Sequence, residues 1–143
     1  EKAILELQAL IATISPSELT TIVDSKTTDL DCQSIQTILS HVVHSGYGYA
    51  IYIRKSKGEN IDFPDKVLLP TIEAYQQAIS TMFKANEQFF VDYPKLKIQE
   101  LNNSKKIITN WGQIYDIEQI LEHAIVHILR HRRQIERFLI KLR

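Results

Sequence analysis

Five histidines are the residues in this 143-residue chain whose type and spacing point to chemistry, and they fall in two groups, His41 with His44 and His123 with His127 and His131. Histidines four apart on a helix project from adjacent turns and can share one ion, so the His127–His131 pair is the natural start of a metal site. A third imidazole from another helix would complete three protein ligands. It would leave a coordination position open for water or substrate, as catalytic zinc sites do. Such an ion makes hydroxide available near neutral pH and deprotonates a coordinated thiol. The single cysteine, Cys32, rules out an internal disulfide and a cysteine-based cluster. It has no base assigned to it and reads as inert.

Positioning those imidazoles takes helices, and the sequence supplies them. The 4 Gly and 4 Pro divide the chain into long blocks of apolar residues at helical spacing. Ile4, Leu7, Leu10, Ile11 and Ile14 predict a first helix over Ala3–Ile14. Ser15-Pro16 then caps a short turn from Ser17 to Val23. A second long helix carries Ile35, Ile38, Leu39, Val42, Tyr49 and Ile53 and ends near Ser56. A third runs from about Leu69 to Phe90, and a last one from Asp116 to about Leu142. Between Tyr93 and Tyr115 the pattern is irregular, which marks the longest loop, and no strong strand signal competes. Four amphipathic helices that must each bury a stripe imply an all-α four-helix bundle, one domain spanning residues 1–143.

The helical wheel sorts the histidines. On the last helix His131 lies about 40° from the centre of the apolar stripe, His127 about 80° and His123 about 120°. Two therefore face inward, while His123 reads as surface. On the second long helix His44 points away from the apolar stripe and His41 lies on its flank, roughly 120° to 130° off centre. His41 is the better third ligand and His44 the solvent-facing one. Gln134 shares the flank of His127 and His131 and is a candidate to orient a ligand or water. Trp111, in the long loop just before the ligand helix, and Tyr52 are candidates to line a substrate pocket, with Tyr47, Tyr49 and Tyr115 behind them.

Lys+Arg and Asp+Glu number 17 each, so no net charge recruits nucleic acid or an anionic membrane. The run of arginines on the last helix reads as a solvated face. No apolar run reaches the roughly 20 residues of a membrane span, and the opening EKAILELQALIATI lacks the pattern of a cleaved leader. With one cysteine, the expectation is a soluble cytoplasmic protein acting on a small molecule.

The segment LEHAIVHILRHRRQIERF (Leu121–Phe138) resembles the last helix of the DinB family, with its His-x-x-x-His followed by Arg and Gln. ILSHVVHSGYGYAIYIR (Ile38–Arg54) resembles the helix that supplies the family's remaining ligand, matching His41. WGQIYDIEQILEHA (Trp111–Ala124) is similar to the approach to the last helix. Arg133 stands where many members carry glycine, a departure that bears on local shape. The resemblance implies up-down-down-up helix order, a zinc or nickel ion on His41, His127 and His131, and a homodimer. It also implies a reaction of the metal-dependent hydrolase or low-molecular-weight thiol transferase kind. A bundle that binds metal or serves structure without turnover is the alternative from another class.

Overall fold

The computed structural model describes residues 1–143. Helix α1 spans Lys2–Ile11, the short α2 Pro16–Thr20, α3 Ile35–Ser56, α4 Ile72–Asp92 and α5 Ile117–Leu142. Single turns of 3-10 helix lie at Leu30–Cys32 and Asn103–Lys105. The fold is an all-α bundle in which α3 packs on both α4 and α5, and α1 closes the other side against the same two helices. None of these helices is long and apolar enough to cross a membrane.

Local chemistry sets the helix starts. Ser15, Ser34 and Asp116 each close a capping box, with Glu18, Thr37 and Gln119 respectively reaching back to the cap's own N–H. Each box satisfies two backbone donors that a helix start leaves open. Helix α4 begins later than the apolar pattern predicts. The Thr71 side chain accepts from Ala74 N–H, so Pro70 stays outside the helix. Helix α1 ends earlier, at Ile11, because the Thr13 hydroxyl and N–H both turn back to Leu10 O.

The apolar stripes meet in a core that includes Leu7, Ile11, Ile38, Leu39, Tyr75, Ile79 and Ile135. A second, smaller core at the other end joins Tyr49, Tyr52, Ile53, Phe89, Ile117 and Ile120. One polar latch crosses the first core. The Tyr75 hydroxyl donates to Gln36 O (3.0 Å), accepts from Leu69 N–H (3.0 Å) and lies 2.6 Å from Ser40 Oγ. It ties the α3–α4 connection to both helices.

The long irregular segment holds an element the sequence does not announce. Ile107–Ile108 (β1) pairs antiparallel with Ile114–Tyr115 (β2), in the register Ile107 with Tyr115 and Ile108 with Ile114. Two-residue strands show no alternation, so their composition cannot be told from loop. Gly112 turns the tip at φ +82°, a conformation that favours glycine. Buried Thr109 holds the turn together through Gln113 O and Gly112 N–H.

Candidate metal centre

Helices α3 and α5 lie side by side and bring three imidazoles to one point. His127 Nε2 is 2.9 Å from His41 Nε2 and 3.2 Å from His131 Nε2. The potential ligand atoms of the three residues all fall within 4.8 Å of one another. Tetrahedral ligands at the usual zinc–imidazole length of about 2.0–2.1 Å stand about 3.3 Å apart, so the spacing suits a single ion. His131 is buried, at 4% exposure, and His41 and His127 are half-buried.

The outward nitrogens fix which atoms face the centre. His41 Nδ1 lies 3.0 Å from Asp31 Oδ2, and since a carboxylate only accepts, the ring proton sits on Nδ1. His131 Nδ1 lies 3.0 Å from Gln134 Oε1, an amide oxygen with the same consequence. Both rings then present a bare Nε2 lone pair inward. His127 Nε2 holds at most one proton and can satisfy only one of them. Three converging nitrogens with too few protons are poorly matched to each other and well matched to a cation, the arrangement that carboxylate and carbonyl partners of metal-bound histidines produce.

Electrostatics keep the imidazoles neutral. Burial pushes the pKa of His127 down to about 3, helped by its neighbours His131 and His41. Burial also lowers His131, with His41 adding to the shift. It lowers His41 too, against the opposing pull of Asp31. Neutral imidazole is the form that binds metal.

The three-histidine point forms one end of a cavity of about 580 Å³ between α3 and α5. Its walls include His44, Ser45 and Gly48 from α3 and His123 and Arg130 from α5. Asp29 and Cys32 close the turn before α3, and Trp111 at the hairpin tip closes the far end, with Tyr52 and Phe63. A model of the DinB family matches residues 5–142. The chain belongs to the DinB family. No curated protein and no solved structure matches it.

For this DinB protein the structure brings His41, His127 and His131 together, and it places Trp111 and Tyr52 on the cavity wall. Gln134 stands elsewhere than the cavity. It holds His131 from behind at 3.0 Å, where it positions an imidazole. His44 is not solvent-facing: it is half-buried, lines the cavity and has a buried Nδ1 without a partner. His123 is not a plain surface residue either, since its ring stacks on Trp111 at 5.3 Å and 21°. The wheel misplaced both because it takes each helix's own apolar stripe as the inward direction, whereas this cavity opens on the flank, where loops supply the other wall. Tyr47 packs against the first core instead of the cavity.

In the turn before α3, Asp29 and Asp31 carry no signal that the sequence reading used, and Cys32, read as inert, lies beside the site. Asp31 holds His41 and is itself paired with Lys66. The Cys32 thiol donates to Asp29 Oδ2 at 3.2 Å and lies 3.7 Å from Gln134 Oε1, and burial raises its pKa. The available signal was their position just ahead of the His41 helix, where a loop end must come close to the site.

Proposed function

We propose that the protein is a divalent-metal-dependent enzyme of the DinB kind, holding zinc or nickel on His41, His127 and His131 and acting on a small molecule. The observation that carries this reading is the convergence of three Nε2 atoms, two of them bare because Asp31 and Gln134 take the opposite ring protons. A divalent ion held there supplies a Lewis acid that lowers the pKa of a thiol or a water brought to it.

Of the two chemistries open to such a site, transfer of a low-molecular-weight thiol fits better than hydrolysis. Hydrolysis needs a base beside the attacking water. The nearby carboxylates are engaged, Asp31 by His41 and Lys66 and Asp29 by the Cys32 thiol, which leaves the cavity histidines His44 and His123 as the bases a hydrolysis would have to use. A thiol needs to be bound and freed of its proton, and the chain's residues shape a cavity in which that can happen. Arg130 lines this cavity, and its charge favours an anionic or proton-releasing substrate over a cationic one. The cytoplasm is the proposed setting, since low-molecular-weight thiols stay reduced there. A homodimer is part of the proposal, supported by exposed Phe90 and Ile125 beside an apolar cavity between α4 and α5.

The test is a panel of small thiols with an electrophilic acceptor, run on zinc- and nickel-loaded protein and on the His127→Ala variant. Metal-dependent consumption of thiol and acceptor together, absent in the variant, is the expected result. Ester or amide cleavage without thiol consumption would move the reading to hydrolysis. No turnover of either kind in protein that holds its metal would leave a non-catalytic metal-binding bundle.

A further inference from the structure

The cavity extends past the three histidines, and a group of rings lines its far end. His123 carries the ring surface outward from His127, with centroids 6.4 Å apart and planes 26° from parallel. Trp111 stacks on the next face of His123 at 5.3 Å. Tyr49 and Tyr52 stand nearly perpendicular to the indole, at 85° and 88° with centroids 6.2 and 5.6 Å away. Phe63 meets Tyr52 at 5.1 Å and 63°.

The indole is held in place and yet remains available. The Tyr52 hydroxyl accepts from Asn110 N–H at 2.9 Å, which pins the hairpin tip to α3, and Gly112 makes the turn possible. Trp111 nevertheless keeps 44% of its surface exposed. A large apolar side chain fixed at a loop tip and left half uncovered over a cavity is a wall awaiting a second surface. The small residues Ser45 and Gly48 line the same cavity, and a Cβ at Gly48 would stand in van der Waals contact with the Phe63 ring at 3.7 Å, space that glycine leaves open.

We infer that the Trp111 end of the cavity is a subsite for an uncharged aromatic ring, carried by the substrate a short linker away from the atom that reaches the three histidines. The perpendicular rings offer the edge-to-face and offset-stacked partners that a flat ring completes and a puckered one does not. Arg130 on the same cavity, together with a cation at the histidines, disfavours a substrate ammonium, so the rings are no cage for one. The two ring-to-ring steps from His127 to Trp111, 6.4 and 5.3 Å between centroids, set the aromatic group apart from the metal-binding group, so a linker must join them. This inference rests on the proposed metal-dependent function, whose substrate class it narrows.

Alkyl hydroxamates, which bind divalent metals, make the test direct. Metal content is measured first, and the metal-loaded protein is then titrated by calorimetry with 3-phenylpropionohydroxamate and with its cyclohexyl counterpart. Trp111 is the chain's single tryptophan, so quenching of its fluorescence locates the bound ring independently. The phenyl compound should bind about two- to tenfold tighter than the cyclohexyl one, the range that aromatic pairing provides. Trp111→Ala should erase that preference with metal content unchanged, and Trp111→Phe should restore most of it. Equal affinity for the two compounds, no binding of either to metal-loaded protein, or a preference that survives Trp111→Ala would overturn the subsite. If the protein takes up no metal, the proposed function fails by itself. The subsite then stands or falls on saturable binding of 2-naphthol to the metal-free protein, weakened by Trp111→Ala.

Discussion

Lowering the pH should destabilise the metal-free protein in a window where most small domains change little, and His127 sets the size of the effect. Its imidazole titrates near 6.5 when unfolded and is pushed down to about 3 when folded, first by burial and then by His131 and His41. Below pH 6.5 the unfolded chain therefore takes up a proton that the folded chain refuses, and stability falls as pH falls. Each pH unit is worth about 1.4 kcal/mol per proton, so the drop from pH 6.5 to 5 costs about 2 kcal/mol from His127 alone. His41 and His131 are shifted the same way and add to the loss. The depressed carboxylates Glu18, Asp29 and Asp92 act mainly at lower pH, below their unfolded range near 4, and do not obscure this window. The assay is urea unfolding followed by circular dichroism at pH 7.5, 6 and 5, with chelator present throughout. His127→Gln should flatten the profile by about 2 kcal/mol at pH 5. A wild type equally stable at pH 7.5 and pH 5, or a variant with an unchanged profile, would refute the picture of a buried, neutral histidine cluster.

Two other substitutions probe separate links. Asp31→Asn keeps the shape beside His41 but removes the carboxylate that fixes its ring proton, and metal affinity by competition titration should fall about 10- to 100-fold with little change in fold. Unaltered affinity would show that Asp31 serves only Lys66. Tyr75→Phe removes the hydroxyl shared by Gln36 O, Leu69 N–H and Ser40, and should cost about 1–3 kcal/mol in denaturant unfolding without altering metal content. A cost near zero would mean that water replaces the latch.

Much of this was legible in the residues, and the exceptions share a cause. Helices α3 and α5 are long, strongly periodic and capped by Ser34 and Asp116, so their faces could be read directly. The pair His127 and His131 follows from helical spacing alone. His41 could be chosen over His44 as a ligand, but the direction of His44 could not, because the cavity lies where α3 meets α5 and the hairpin, away from the apolar stripe of either helix. Asp31 and Cys32 sit on a turn whose placement depends on Val23 and Asp24 N–H bonding to Gln33 O, a contact without periodic signature. The hairpin that carries Trp111 is fixed by Thr109, Gly112 and the distant Tyr52 hydroxyl, which no local pattern encodes.

His41, His127 and His131 converge as the ligands of one divalent ion. Elemental analysis of protein purified without chelator, repeated after dialysis against zinc or nickel and set beside His127→Ala and His131→Ala, tests this assignment most directly. One ion per chain is expected in the wild type, lost in both variants and released as pH falls and the imidazoles protonate. Wild type that takes up no stoichiometric metal, or variants that keep it, would mean that these three histidines do not form a metal site.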